Sequence, residues 1–375
     1  MMNILLIGGT EDSIVAAQRE PFTDECHSLK RQFGMTLKSV RAETLADIQF
    51  GCQQDNSDAV FLFPSWRESA IDIERVVREI REDQPNRKLI FVDPFAQTSS
   101  NFFNVLPYVD RFLKRQRPRD LSEYRQGFIG GSRFIAAIAE SGIELNGWSV
   151  SSQVSPAYEH RIATGWNLGT ARRFRRELLP RFGFRHTYAK NIDIFCRMSL
   201  GTQQQKEWYC EYRIAAVEAL KPLEKNYNLA ASARFAEEGF IPRRQYEREL
   251  KGSRIVFSPF GWGETCWRDF EAICYDSLLV KPSMEYIDTE PNIFIPGETY
   301  VPVRWDFADL EEKCRYYLEN PEKADRIIKN ARQVYTDYFK QGKFSQLIAN
   351  LILNLKNTSE VSLPQNFSLS ANQIN

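Results

Sequence analysis

Two short apolar runs, Ala59-Val60-Phe61-Leu62-Phe63 and Lys88-Leu89-Ile90-Phe91-Val92, most constrain what this chain can become. Neither alternates polar with apolar residues and both are too short for a helix, so each reads as a strand buried on both faces. Between them Ile71, Val76, Val77 and Ile80 recur every three to four residues, while Glu74, Arg75, Arg78, Glu79 and Arg81 take the other side. That spacing predicts an amphipathic helix. A strand, a helix and a strand at this distance imply a crossover between parallel strands. The opening Asn3-Ile4-Leu5-Leu6-Ile7, followed by Gly8-Gly9-Thr10, reads as one more buried strand running into a glycine turn.

The alternation returns further along. Strands are expected over 191–195, 227–231, 254–257, 278–280 and 300–303, and helices over 206–220, 243–250, 265–276, 309–318 and 321–339, the last two split by Asn320-Pro321. An apolar helix through Leu347, Leu351 and Leu355 closes the pattern. With 375 residues the chain has room for two cores. The expected division is an N-terminal domain over 1–185, a second domain over 186–340, a helix over 341–356 packing back on the first domain, and a disordered, aperiodic tail over 357–375. Between 111 and 185 the periodicity loosens around Gly130-Gly131, Gly147-Trp148 and the stretch from Gly165 to Gly169. The run Arg172-Arg173-Phe174-Arg175-Arg176 is expected to be a solvated helix face, with an acidic or phosphate-bearing partner as the alternative.

Composition excludes several functions. The 49 basic residues equal the 49 acidic ones, which argues against a general electrostatic grip on nucleic acid or an anionic membrane. Any charged ligand must be held locally. The seven cysteines are scattered, without metal or redox spacing, and are expected to be reduced cytosolic thiols. No signal-like start and no apolar stretch near the ~20 residues of a membrane span occur, so a cytoplasmic protein is expected, at most peripheral to a membrane.

The densest chemical signal is Gly261-Trp262-Gly263-Glu264-Thr265-Cys266-Trp267-Arg268-Asp269-Phe270-Glu271-Ala272, where an expected strand hands over to a helix. Open α/β sheets bind ligands at such places, and the helix N-terminus presents free N–H groups to an anion such as a diphosphate. Gly261 and Gly263 allow close backbone approach. Arg268 can supply a bidentate phosphate contact, and Glu271 suits paired ribose hydroxyls. Glu264, Arg268 and Glu271 share one helix face, so the plain alternative is a surface ion-pair ladder. Arg197 and Lys281, each at a strand end, are candidate phosphate contacts, with simple exposure as the alternative. His160 and His186 are candidate general bases on an acceptor hydroxyl, with a structural role as the alternative. No Asp-x-Asp triplet offers paired carboxylates to a divalent cation, so neither metal nor cofactor is expected.

Over 258–330 the chain resembles the C-terminal domain of group 1 and exostosin-like glycosyltransferases, through Gly263-Glu264-Thr265, Arg268-Asp269-Phe270-Glu271-Ala272, Leu278-Leu279-Val280-Lys281-Pro282 and the later Asp309-Leu310-Glu311 with Asn320-Pro321. The resemblance implies an α/β fold of GT-B type, two Rossmann-like doubly wound domains facing a central cleft. It also implies sugar transfer from a nucleoside-diphosphate sugar to a glycan or glycolipid hydroxyl, with Arg268 on the donor diphosphate and Glu271 on its ribose. Glu264 is the candidate catalytic carboxylate. Similar retaining enzymes separate their two glutamates by seven residues; here Glu264 and Glu271 have six between them, and Gly263 stands at the first position. Tyr300, Trp305 and Asp306 fall where similar enzymes line the donor pocket, with a place in the core as the equal alternative for the aromatics.

Two other readings remain open. One is a non-catalytic nucleotide- or sugar-binding protein with a degenerate transferase fold. The other takes Gly8-Gly9-Thr10 as the opening of a dinucleotide domain, giving an oxidoreductase or epimerase. The stretch Gly-Gly-Thr-Glu-Asp-Ser at 8–13 lacks the full glycine fingerprint, and Glu11 and Asp12 would oppose a pyrophosphate.

Overall fold

The computed structural model describes residues 1–10, 13–150, 153–181, 183, 187–201, 207–233, 239 and 241–355. The first half alternates as the apolar runs predict: β1 (Met2–Gly8), α1 (Ser13–Phe33), β2 (Met35–Arg41), α2 (Leu45–Gln53), β3 (Ala59–Phe63), α3 (Ala70–Asp83) and β4 (Lys88–Val92). Ile73, not Ile71, completes the buried face of α3; Ile71 is 78% exposed. Then follow β5 (Arg111–Lys114), β6 (Gln116–Pro118), α4 (Arg133–Glu140), β7 (Ile162–Thr164) and α5 (Arg172–Leu178). Six of these strands form a parallel sheet in the order β2-β1-β3-β4-β5-β7.

The second half contains β8 (Ile192–Cys196), α6 (Trp208–Glu218), β9 (Leu229–Ala231), α7 (Arg243–Lys251), β10 (Ser253–Phe257), α8 (Trp267–Cys274), β11 (Leu278–Pro282), β12 (Ile287–Thr289) and β13 (Val301–Val303). Five strands pair in parallel in the order β13-β11-β10-β8-β9. Three helices finish the chain: α9 (Leu310–Glu319), α10 (Pro321–Lys340) and α11 (Lys343–Leu353).

Both sheets wind alike. The first strand pairs with the second on one side and with the third on the other, so the chain reverses direction between β1 and β3, and again between β8 and β10. Crevices open beyond the carboxyl ends of strands at such reversals.

The two halves are extensively joined. β6 and β12 pair antiparallel, matching Gln116 with Thr289 and Pro118 with Ile287. Phe134, Ile135 and Ile138 of α4 and Phe174 and Leu178 of α5 belong to the core built on the second sheet. A boundary drawn at 185 therefore cuts through a shared core. Of the arginines of α5, Arg172 meets Asp24 and Arg175 meets Glu25, both at 2.6 Å, while Arg173 and Arg176 are exposed. In return, α11 lies on α1. Phe344 meets Phe22 and Trp166 edge-on at 5.1 and 5.3 Å, with Ile348 and Ile352 buried beside them. Each such buried side chain contributes about 1.5–3 kcal/mol. The expected disordered tail lies outside the described residues. None of the described helices is long and apolar enough to cross a membrane.

Candidate functional site

At the second reversal β8 hands over to Arg197 and β10 to the loop 258–266, which leads into α8. Arg268, second residue of that helix, turns its guanidinium back under the loop, where Nη1 donates to the Arg197 carbonyl oxygen at 2.8 Å. Its Nε is buried and has no acceptor. Burial opposes the charge, but the neighbouring Cys266, Tyr246, Cys196 and Asp269 outweigh it and raise the pKa further.

Arg213, from α6, reaches the same place. Its Nη1 donates to the Ser199 carbonyl oxygen at 2.9 Å, its guanidinium lies over the Tyr209 ring at 4.9 Å, and its Nε also lacks an acceptor. Burial and then the nearby Arg268 lower its pKa from the ordinary arginine value. Among the described residues neither guanidinium is hydrogen-bonded to a carboxylate.

The buried indole N–H groups of Trp148 and Trp208 are unmet as well. Trp148 packs against Trp208 at 6.3 Å and against Trp262 of the loop at 5.8 Å, and Trp208 packs against Tyr209 at 5.8 Å, so all four donors share one neighbourhood. Each buried donor left unmet costs about 1–3 kcal/mol. Two positive charges and four donors without acceptors are complementary to one kind of ligand, an anion rich in oxygen acceptors.

The other residues singled out in the sequence have different fates. Arg197 contributes its carbonyl; its side chain is tied to Glu249 at 2.8 Å and to the Ala231 carbonyl oxygen, correcting its assignment as a phosphate contact. Lys281 is also corrected. It is fully buried, paired with Asp269 at 3.1 Å and set against the rings of Phe260 and Phe294, where it braces the loop from beneath. Glu271 stays beside Arg268, with Tyr246 against both. Its carboxylate accepts from the Tyr246 hydroxyl at 3.1 Å and pairs with Arg173 at 3.1 Å.

The two glycines admit protein rather than ligand. A Cβ at Gly261 would fall 2.3 Å from Arg213 Nη2, and one at Gly263 would fall 2.1 Å from the Ala96 carbonyl oxygen of the first half. Glu264 next to it is fully buried in this seam. It accepts from Gln116 Nε2 at 3.2 Å, the Tyr286 hydroxyl at 3.2 Å and Thr98 N–H at 3.4 Å. The carboxylate expected to be catalytic therefore fastens the two halves together through these three bonds.

His160 lies far from these groups. It precedes β7 at the amino end of the first sheet, where the adjacent Arg161 donates to the carbonyls of Leu106, Pro107 and Val109. Burial, then Arg161 and Arg111, lower its pKa, and the crevices open at the other end of the sheet, so it has no part in the site. His186 lies outside the described residues. Tyr300 is buried core, Trp305 packs on Phe260, and Asp306 pairs with Arg304 at the surface. No three His, Cys, Asp or Glu side chains gather as a metal site requires, among the described residues.

Arg213 and the indoles of Trp148 and Trp208 are the site residues that sequence reasoning missed. Arg213 stands in an ordinary amphipathic helix with no motif around it. Its only available signal is its place in the helix that follows β8.

The first reversal carries a cavity of about 590 Å³, lined by Gly9, Glu43, Phe63, Ser65, Trp66 and Glu68 among others. Glu43 is fixed there, accepting from Thr10 N–H at 3.0 Å, the Thr10 hydroxyl at 3.1 Å and Arg41 Nε at 2.7 Å. The Thr10 N–H bond is the first cause holding its pKa below the usual carboxylate range. The N–H that a dinucleotide pyrophosphate would use in the glycine turn is thus already taken by a carboxylate. Trp66 meets Trp262 edge-to-face at 4.8 Å, so this cavity borders the loop of the arginine crevice.

Comparison with known proteins agrees with this architecture. Residues 206–348 match the family described as glycosyl transferase-like. A glycosyltransferase from Rickettsia africae shares the fold with a TM-score of 0.51 at 11% identity, over 95% of this chain and 99% of that one. An α-glucosyltransferase solved with UDP gives 0.46 at 9% identity, over 92% of this chain and 100% of that one. The S. aureus MnaA protein bound to UDP gives 0.46 at 11% identity, over 98% and 100%. No curated protein matches the chain significantly. Residues 206–348 are thus similar to a glycosyltransferase-like family, and the whole is an α/β structure of GT-B type with parallel sheets.

Proposed function

We propose that this chain transfers a sugar from a nucleoside-diphosphate sugar to a hydroxyl group of a glycan or glycolipid. One observation carries the reading: Arg268 and Arg213, through their Nε atoms, and the Trp148 and Trp208 indoles present four buried donors without acceptors at the reversal between β8 and β10. The diphosphate of the donor lies against the two guanidiniums. As the bond to the sugar breaks, negative charge accumulates on the departing diphosphate, and fixed positive charge in a partly dry crevice stabilises it without rearrangement. Arg268 supplies that charge from a position already set by the Arg197 carbonyl. Glu271, oriented by Tyr246 and Arg173, receives the ribose hydroxyls. No metal is assigned a step, because guanidiniums perform the neutralisation. The acceptor enters from the cavity on the first sheet, next to Trp66 and Trp262. The seven cysteines are all free, which supports a cytoplasmic setting, with any lipid-linked acceptor met peripherally.

A second reading, a binding protein that does not catalyse transfer, is supported by the burial of Glu264 in the seam and the distant place of His160. Calorimetry with uridine, guanosine and thymidine diphosphates, followed by hydrolysis and transfer assays on the matching sugar nucleotides, separates the two. Diphosphate binding with turnover supports the transferase, and binding without turnover under every acceptor supports the second reading. Absence of diphosphate binding overturns both.

A further inference from the structure

In the proposed donor complex the diphosphate takes the guanidiniums and the ribose takes Glu271, which leaves the buried indole N–H groups of Trp148 and Trp208 without a partner. A continuous series of contacts fixes where they stand. Tyr246 joins Glu271 to Arg268, and Arg213 lies next to Arg268 and over the Tyr209 ring at 4.9 Å. Tyr209 meets Trp208 at 5.8 Å, Trp208 meets Trp148 at 6.3 Å, and Trp148 meets Trp262 at 5.8 Å. Trp262 in turn meets Trp66, on the cavity of the first sheet, at 4.8 Å. The indoles thus fall between the groups that hold the diphosphate and the cavity by which the acceptor enters, which is the place of the sugar being transferred.

Resting on the transferase reading above, we propose that the transferred sugar is a 2-acetamido sugar, whose carbonyl oxygen accepts from the indoles of Trp148 and Trp208. An indole N–H donates and never accepts, whereas a sugar hydroxyl does both. A hydroxyl set against these two side chains would leave its own proton unmet, because the rings around them are Phe134, Tyr209 and Trp262. An amide carbonyl has two lone pairs and no proton, so it answers both donors at once. Its methyl group packs on the same rings. The amide N–H, on the carbon next to the anomeric centre, faces the phosphate oxygens of the donor itself. A carboxylate also only accepts, but it would bring a charge into an aromatic surround whose guanidiniums are already taken by the diphosphate, and burying a charge without its counter-charge is costly. Trp208 is 1% exposed, so its N–H has no solvent to turn to when the sugar lacks this group. Trp148 and Trp208 are accordingly specificity residues for the donor.

The test uses the full chain and calorimetry. The probes are the glucose, N-acetylglucosamine and glucuronate esters of whichever of the uridine, guanosine and thymidine diphosphates binds. The N-acetylglucosamine ester is expected to bind about tenfold or more tightly than the glucose ester, the penalty for an unmet buried group. Trp148→Phe and Trp208→Phe keep a ring and remove the N–H, and each should lower that ratio by about three- to tenfold. The ratio compares two ligands on one protein, so a variant that merely folds less well leaves it unchanged. Equal affinity for the two esters, preference for the glucose or the glucuronate ester, or a wild-type ratio in both variants overturns the inference while the transferase reading stands. If none of the three diphosphates binds, the transferase reading falls and this inference falls with it.

Discussion

The two sheets of this protein wind identically and place a crevice at the same topological point, yet one crevice carries two guanidiniums and the other Glu43 and Glu68 with Arg67. In the second half, Arg268 and Arg213 stand unpaired by any described carboxylate. In the first half the equivalent turn after β1 gives its Thr10 N–H to Glu43. Topology decides where a ligand goes, and the side chains at the strand ends decide its charge. Beneath both crevices the construction is shared. Lys114 is fully buried against Asp93 and donates to the Ser99 carbonyl oxygen at 2.7 Å, and Lys281 is fully buried against Asp269. Burial disfavours the charged state of both members of the first pair, raising the Asp93 pKa and lowering that of Lys114. In each half a buried lysine braces a loop at the carboxyl end of the sheet: Lys281 the loop that leads into α8, and Lys114 the segment after β4 that meets Gly263 and Glu264.

That parallel can be broken most sharply at the braces. Lys114→Met and Lys281→Met each leave an aspartate buried without its counter-charge, and denaturant unfolding should show a loss of roughly 3–5 kcal/mol. A loss near zero in either variant would end the equivalence of the two floors. The contrast above the floors is tested by Arg268→Ala, expected to weaken diphosphate binding by about 1.5–3 kcal/mol in calorimetry while the fold persists. Arg213→Ala should behave similarly. Unchanged affinity in both would remove the anion from this crevice.

Glu264→Gln probes the seam between the two regions. The amide cannot accept from all three donors, so stability should fall by roughly 1–3 kcal/mol while turnover is retained within about tenfold. A loss of a hundredfold or more in turnover, in the range usual for a general acid or base, would return Glu264 to a catalytic role. The smallest expected effect concerns pH. Burial, then repulsion from Asp72, raises the Glu68 pKa, whereas Glu43 lies below the usual range. Acceptor binding that needs an ionised Glu68 should therefore weaken as the pH falls through this raised value, before Glu43 is protonated. Sugar affinity rising on acidification would show that an ionised Glu68 takes no part in acceptor binding.

Much of the architecture is legible in the sequence, because apolar periodicity is a local property. β3, β4 and the handover from β10 to α8 lie where the apolar runs place them. The stretch between 111 and 185 is not legible in this way. It crosses between the two halves, and its apolar residues, such as Phe134 and Phe174, serve the core of the distant sheet. The site was legible in part: Arg268 and Glu271 do lie together with Tyr246. Arg197 and Lys281 differ because each is neutralised from elsewhere, by Glu249 and Asp269.

Alone, the sequence determined the alternation of strands and helices, the doubled parallel architecture and the loop that begins the anion crevice. Spacing along the chain controls which backbone groups bond and which faces are buried. Only the tertiary structure decided which charges remain available. What an arginine or glutamate can still offer a ligand depends on how far partners from other elements have met it, and those partners are brought together by folding. Glu264 is the clearest example: its neighbours suggest chemistry, while Gln116, Thr98 and Tyr286 make it a fastener.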